Sequence, residues 1–298
     1  MNDVCFLVPT YPMHFPYALG LLESFRKYEL DKQADMVFVF TSEYERSGFL
    51  PCDNVVLPKS LRNHGREIIN IKKFYGLMQL KGKYKYIIIL DDDCQFINSA
   101  RINDICNDYF SDRILYGSFL EGPNQTVINE IKCVLKKCSS YFKNCSNHNL
   151  VAYECTLWFN QLCIYKTEYL SDFFRETKIG KKLNKLTWFD FDYNIYMNYL
   201  ILYHGFEIQS VGIAAENSAT EIPSAYFYLN ILSDEYRSMK CYAATEYMQR
   251  ILPKDKVFIT LHLDRRKNES LTKRKRMFYS IKMLIRACIK IKQKGVLK

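Results

Sequence analysis

The stretch Tyr86-Ile87-Ile88-Ile89-Leu90-Asp91-Asp92-Asp93 decides the fold class. Its first five residues form a continuous apolar run, which is typical of a strand buried on both faces of a parallel sheet. Three aspartates follow at once, so the strand ends in a concentration of negative charge. Ligands bind beyond the carboxyl ends of the strands in an open parallel sheet. The stretch therefore predicts a core strand that carries carboxylates into a ligand site.

The chain around this strand alternates β-branched and aromatic runs with helical patterns, which predicts an α/β fold with a mostly parallel central sheet flanked by helices. Strands are predicted at 4–8, 35–41, 54–57, 114–119, 156–165 and 257–263, and helices at 16–28, 67–80, 126–137 and 191–204. The polar stretch 139–149 is predicted to be a mobile loop. No internal repeat or low-complexity linker is present, so we expect one domain over 1–270, with halves 1–120 and 121–270, and a tail over 271–298.

The charge of the chain is concentrated in the tail. The 298 residues are 48% hydrophobic, which is enough for one large core, and carry a net charge of +10. Residues 273–298 hold ten Lys or Arg and no Asp or Glu, which leaves 32 basic and 32 acidic side chains in residues 1–272. A neutral body argues against nucleic acid as a partner, whereas a cationic tail favours an anionic surface.

The cysteines and the first residues predict a cytoplasmic protein. The eleven cysteines form no CxxC pair, so we expect reduced thiols and neither a zinc site nor a disulfide framework. Asn2-Asp3 supplies no positive leader, and Pro9 and Pro12 interrupt the first apolar run, so no signal peptide is expected. No window is long and apolar enough for a membrane span.

The three aspartates have two interpretations. Neighbouring carboxylates repel one another, and a hard divalent cation such as Mg²⁺ or Mn²⁺ relieves that repulsion and leaves coordination positions for phosphates. Alternatively, they form a polar turn that ends the strand, which Asp does well. Because a buried strand precedes them, the sequence favours the metal.

Three segments together resemble GT-A glycosyltransferases with a DxD motif, in particular bacterial lipooligosaccharide and capsule enzymes. They are "YKYIIILDDDCQFI" at the motif itself, "FLVPTY" at the first strand and its turn, and "IINIKKFYGLMQL" at the preceding helix. The resemblance covers residues 3–97 in good order and extends loosely to about 267. It implies a Rossmann-like GT-A fold that transfers a sugar from a nucleotide-sugar donor, with UDP-sugars expected first and Mn²⁺ or Mg²⁺ as cofactor.

The resemblance also implies roles for the residues on the donor side. Asp91 would contact the ribose or metal-bound water and Asp93 would bind the metal, with Asp92 between them, although three successive aspartates leave this register open. Pro9, Thr10 and Tyr11 would line the nucleoside pocket.

The resemblance also suggests roles for two lysines and for a late basic segment, each with an alternative interpretation. Lys72 or Lys73 would approach the diphosphate, or both would lie on a solvated helix face. The family commonly supplies a late histidine to the metal, and His262 stands at a late strand end, whereas His64 reads as a loop residue. Arg265 and Arg266, with Lys267, would neutralise the departing nucleoside diphosphate. The alternative is a packed histidine beside a solvated basic turn.

The segment "LTWFDFDYNIYMNYLILYHGFEI" resembles the part of the family that supplies the catalytic base for an inverting transfer. Asp192 is the first candidate and Asp190 the second, although Phe191 splits the usual adjacent acidic pair. Both also suit the first turn of a helix, where the macrodipole favours negative charge. A retaining enzyme would not need this base.

The aromatic side chains near this segment suit an acceptor side, where flat rings stack on sugars, although core packing is the alternative for each. They are Trp158, Phe159, Trp188 and Phe189.

Residues 274–294 place an apolar stripe at helical spacing with cations largely on the other side. Such a helix binds an anionic membrane, or it docks on the body and buries the same stripe. With the DxD motif it predicts a peripheral enzyme on the inner membrane face. The family resemblance implies that this enzyme modifies a glycan or lipid-linked acceptor in bacterial surface polysaccharide synthesis. The competing functions are a sugar nucleotidyltransferase, which would want a Gly-rich loop after the first strand, and a nucleic-acid-binding protein with a basic arm.

Overall fold

The computed structural model describes residues 2–96, 99–120, 125–152, 155–157, 161–213, 220–221, 226–230 and 258–262. The helices are α1 Phe15–Lys27, α2 Glu43–Ser47, α3 Ile68–Leu80, α4 Ile102–Asp112, α5 Gln125–Ser139, α6 Thr167–Thr177 and α7 Asp192–His204. The strands are β1 Val4–Pro9, β2 Ala34–Phe40, β3 Asn54–Val56, β4 Tyr86–Ile89, β5 Ile114–Phe119, β6 Cys155–Thr156, β7 Cys163–Lys166, β8 Glu207–Ile213, β9 Thr220–Glu221, β10 Tyr226–Asn230 and β11 Phe258–His262.

The main sheet has the order β3-β2-β1-β4-β7. Strands β1 to β4 run parallel, and β7 pairs antiparallel with β4. The chain moves outward from β1 to β3 and then crosses through α3 to β4 on the other side of β1, so the strand order reverses between β1 and β4. The Leu90 amide donates to the Leu7 carbonyl at 3.1 Å, which keeps the ends of these two strands together. Ligands of open α/β sheets bind at such a switch point.

Helices cover both faces of this sheet, because β1 sends alternate side chains to opposite sides. Val4, Phe6 and Val8 pack with α1 and α4, whereas Cys5 and Leu7 pack with α3, α6 and α7. These five side chains are all fully buried. The observed layers confirm the predicted α/β fold with a mostly parallel sheet and helices on each face.

Gly76 sets how closely α3 approaches the sheet. A Cβ at this position would lie 2.8 Å from both methyl carbons of Leu7 and 3.2 Å from Val39. Glycine inside a helix costs about 1 kcal/mol relative to alanine, and here it permits contact between helix backbone and strand side chains. The close approach brings the amino-terminal half of α3, with Lys72 and Lys73, against the carboxyl end of β1.

Two smaller sheets follow. Strand β5 pairs with β6 antiparallel and β8 parallel, and β10 pairs with β9 antiparallel and β11 parallel. Within the described residues, no helix is both long and apolar enough to cross a membrane. The predicted tail helix at 271–298 lies outside the described residues.

One local prediction is wrong and another is incomplete. Residues 156–165 do not form a single strand, because β6 and β7 belong to different sheets. The polar stretch 139–149 contains two 3-10 turns, at Ser140–Phe142 and His148–Val151, and it buries Phe142 in the core. Helices α4 and α6 were not predicted, although Ile102, Ile105, Cys106 and Tyr109 have helical spacing.

Candidate functional site

The turn after β1 lies at the switch point between β1 and β4. We call this region the crevice, because ligands of open α/β sheets bind there. Thr10 is fully buried, and its amide donates to the Val39 carbonyl at 3.1 Å. Its own carbonyl accepts a hydrogen bond of 2.5 Å from Lys72 Nζ. Pro9 is the buried last residue of β1, whereas Tyr11 is 37% exposed at the rim. The turn therefore has a fixed backbone and an accessible aromatic ring.

The three aspartates form the adjacent wall and occupy different environments. Asp92 and Asp93 are buried, whereas the side chain of Asp91 is 37% exposed. Within the described residues, Oδ2 of Asp92 and the hydroxyl of Thr10 are buried without a hydrogen-bond partner. Burial raises the pKa of Asp92 to about 6, although the hydrogen bond with His14 opposes the shift. A buried carboxylate oxygen without a partner is costly, and this one lies where a ligand is expected.

His14 connects this carboxylate to the aromatic rim. Its Nδ1 lies 2.7 Å from Oδ1 of Asp92, and its Nε2 forms a hydrogen bond with the Tyr11 hydroxyl. If Nδ1–H donates to Asp92, Nε2 is free to accept from Tyr11. The Tyr11 and His14 rings also stack, with centroids 4.0 Å apart. Tyr11, His14 and Asp92 thus form one chain of contacts from the rim to the buried carboxylate.

Two buried lysines lie beneath the crevice, so the solvated-face interpretation of α3 is wrong. Lys73 Nζ lies 3.3 Å from Oδ1 of Asp91 and 3.4 Å from Oδ1 of Asp192. Burial opposes its charge, but Asp192 and Asp91 outweigh burial, and the pKa of Lys73 is raised. Lys72 lies 3.5 Å from Oε2 of Glu45, and burial lowers its pKa.

The two candidate bases have different surroundings. Asp192 is the first residue of α7 and is fully buried; its Oδ2 accepts from the Tyr165 hydroxyl at 2.7 Å, and its Oδ1 faces Lys73. Asp190 accepts at one oxygen from the Tyr141 hydroxyl at 2.6 Å and at the other from the amide and hydroxyl of Thr187. Asp192 therefore belongs to the crevice, and Asp190 holds the turn before α7.

Comparisons with known proteins give structural neighbours only. The chain matches no protein-family model and no curated protein. Three solved structures similar to it are a mannan synthase, a glycosyltransferase and a galactosyltransferase.

The first is core-mannan synthase A from Aspergillus fumigatus in its Mn/GDP form, with 14% identity, a TM-score of 0.40, and coverage of 70% of this chain and 73% of that one. The second is a glycosyltransferase involved in the glycosylation of the major capsid of PBCV-1, with 11% identity, a TM-score of 0.41, and coverage of 94% of this chain and 100% of that one. The third is the galactosyltransferase LgtC with donor and acceptor sugar analogues, with 11% identity, a TM-score of 0.42, and coverage of 93% and 95%. Similarities this low do not by themselves assign a function to this chain.

The structure brings together most of the predicted site residues that it describes. Lys72 donates to the Thr10 carbonyl, and Lys73 contacts both Asp91 and Asp192. Asp92 contacts His14. His262 is the last residue of β11, and its side chain is not described. Arg265, Arg266, Trp158 and Phe159 lie outside the described residues.

Two remaining predicted residues lie at the edge of the crevice. Trp188 packs against the core cluster and stacks under the Arg66 guanidinium at 3.4 Å, whereas Phe189 is 38% exposed. His64 lies 3.8 Å from Glu67 on a loop, as predicted.

Sequence reasoning missed three site residues. His14 and Glu45 reach the crevice from the segments after β1 and β2, and Tyr165 reaches it from β7. The position of His14 soon after the first strand was a usable signal. No sequence signal identified Tyr165 as a site residue, because its contact with Asp192 depends on the antiparallel pairing of β7 with β4.

Proposed function

We propose that the chain is a GT-A glycosyltransferase that moves a sugar from a nucleotide-sugar donor, with UDP-sugars first, to a glycan or lipid-linked acceptor. One observation carries the proposal. The buried aspartates after β4, the turn after β1 and Asp192 at the start of α7 meet at the switch point of a parallel sheet. A donor diphosphate and an acceptor hydroxyl both need to reach such a place, the first for charge neutralisation and the second for a base.

The aspartate run suits Mn²⁺ or Mg²⁺. These cations bind carboxylate oxygens, and Mg²⁺ sites commonly use one or two carboxylates together with substrate phosphates. The buried Oδ2 of Asp92, which lacks a hydrogen bond in the described part of the chain, is a ready oxygen ligand. No three His, Cys, Asp or Glu side chains among the described residues are arranged to hold a metal by themselves. We therefore propose that Asp91 and Asp93 supply one or two carboxylate ligands, with Asp92 beside them and His262 as a further candidate, and that the phosphates of the donor complete the coordination. The bound cation would offset the charge of the diphosphate.

The base of the proposed reaction is Asp192. Its Oδ1 has no hydrogen-bond partner in the described part of the chain, so this oxygen can accept the hydrogen of an acceptor hydroxyl. Asp190 is the weaker candidate, because both of its oxygens are occupied by Tyr141 and Thr187. The same lysine contacts Asp91, so it fixes the distance between the donor side and the acceptor side.

The setting of the reaction is also part of the proposal. The cationic residues 273–298 would attach the enzyme to the inner face of a bacterial membrane, where lipid-linked surface polysaccharides are assembled. Arg265 and Arg266 would face the departing diphosphate.

The test is nucleotide release from a panel of UDP-, GDP- and CMP-sugars, with Mn²⁺ or with chelator. We expect release with one donor class in Mn²⁺, and loss of release with chelator or in Asp93→Ala. Asp108→Ala is the matched control, because Asp108 is exposed on α4 away from the crevice. A folded protein that neither binds nor cleaves any donor in the panel would refute the proposed function.

A further inference from the structure

The body of the protein carries a group of exposed lysines that have no role in the proposed reaction. Between Glu176 and Asp190 the chain contains four lysines and no acidic residue. The four are exposed, and none forms an ion pair in the described part of the chain. We name this group the lysine face, and its members are Lys178, Lys181, Lys182 and Lys185.

The backbone of this segment is anchored in the core, and its four lysines are exposed. Two consecutive 3-10 turns, Ile179–Lys181 and Leu183–Lys185, form it. Ile179, Leu183 and Leu186 are buried in the core that also contains α3. The apolar residues thus anchor the turns from below, and the lysines between them extend into solvent.

The segment runs along α3 toward the crevice. A Cβ at Gly180 would lie 3.4 Å from Met78, near the end of the helix. At the other end, Nδ2 of Asn70 donates to the carbonyls of Thr187 and Trp188 at 3.0 and 3.1 Å. Asp192 follows at the start of α7, so the lysine face ends beside the proposed acceptor side.

We propose that the lysine face docks the protein on an anionic lipid bilayer. Lysine is a compact point charge, and clusters of four to eight basic residues on one surface attract acidic lipid headgroups. Stacking platforms for a single-stranded nucleic acid need exposed aromatic rings among the cations. No aromatic residue stands among the four lysines from Lys178 to Lys185, although Trp188 and Phe189 follow them. The docked surface would present lipid-linked molecules to the crevice edge. Binding to vesicles requires no donor, so the proposal stands or falls separately from the transferase reaction.

The experiment is partition of the full chain onto vesicles of phosphatidylcholine alone or with phosphatidylserine, at low and high salt. The test variant replaces the four lysines of the lysine face with Gln. The control replaces Lys27, Lys32, Lys132 and Lys136, which are exposed on α1, the turn after it and α5, so both variants lose the same charge. A further variant with Arg at the four positions of the lysine face retains the charge.

We expect the Gln variant of the lysine face to bind phosphatidylserine vesicles at least about 10-fold more weakly than the control variant, and the Arg variant to bind like the native chain. Equal losses in the Gln variant and the control would overturn the proposal, because net charge alone would then explain binding. Unchanged binding in the Gln variant would also overturn it and assign attachment to another part of the chain. Stronger loss of binding to a single-stranded oligonucleotide than to vesicles would identify nucleic acid as the partner instead. Circular dichroism melts verify that all variants fold.

Discussion

The buried ion pair of Lys73 with Asp192 is expected to hold the crevice together, and Lys73→Met tests this. Nζ lies 3.4 Å from the fully buried Asp192 and 3.3 Å from the partly exposed Asp91. At an effective dielectric constant of about 20, each contact has a Coulomb energy of about 5 kcal/mol, which desolvation largely offsets. Removing Lys73 leaves Asp192 as a buried charge that, among the described residues, accepts a hydrogen bond from the Tyr165 hydroxyl alone. We expect a loss of about 3–5 kcal/mol in the free energy of unfolding.

The assay is urea denaturation followed by circular dichroism. The control is Lys32→Met, which removes the same side chain from a pair with Glu29 whose two members are 68% and 69% exposed. That pair should contribute less than about 1 kcal/mol. The double variant Lys73→Met/Asp192→Asn should recover about 2 kcal/mol of coupling, because the unpaired charge is gone. If Lys73→Met costs no more than Lys32→Met, or if the two changes at the pair simply add, the reasoning is refuted.

Four further outcomes are expected. Gly76→Val should lower the free energy of unfolding by about 1–3 kcal/mol in urea, because its side chain would overlap Leu7. In a steady-state assay of the proposed transfer, Asp192→Asn should lower kcat by about 10²–10⁴-fold with little change in KM, whereas Tyr165→Phe, which keeps the carboxylate, should lose much less. His14→Ala should weaken Mn²⁺ binding about 10- to 100-fold in a metal titration, because the imidazole that orients the Asp92 carboxylate is lost. Unchanged affinity for Mn²⁺ would show that His14 is not part of the site. Burial lowers the pKa of His204 in the folded protein, so the unfolded chain binds a proton at this histidine more readily. The free energy of unfolding should therefore fall as the pH drops through about 6.5. In His204→Gln, urea midpoints should fall less over the same pH range.

Much of the main sheet follows from local sequence patterns. Strands β1, β2, β3 and β4 and helices α1 and α3 lie within two residues of their predicted bounds. The apolar runs of β1, β2 and β4 are buried almost throughout, so each of these patterns has one stable interpretation. The prediction of one strand over 156–165 is wrong because the segment contains parts of two short strands that pair with different strands. Alternation of apolar residues specifies which face of a strand is buried, but not which strand it pairs with.

The site was predictable where residue type alone sets the chemistry. Two features can be recognised as candidate site residues from the sequence alone: successive aspartates after a buried strand, and an aspartate in the first turn of a helix. Lys72 and Lys73 show the limit of this reasoning. Adjacent lysines on a helix are usually solvated, and here both are buried because Gly76 brings α3 against β1 and carboxylates face them.

The sequence by itself determined the strand that ends in Asp91-Asp92-Asp93, the α/β class, and the separation of a neutral body from a cationic tail. These depend on local pattern and composition, which need no knowledge of distant neighbours. Only the tertiary structure decided that His14 contacts Asp92, that Tyr165 donates to Asp192, and that Lys73 contacts both Asp91 and Asp192. Those contacts join residues that are 18 to 119 positions apart in the sequence. Strand order and the close packing of α3 on the sheet bring them within a few ångströms of each other.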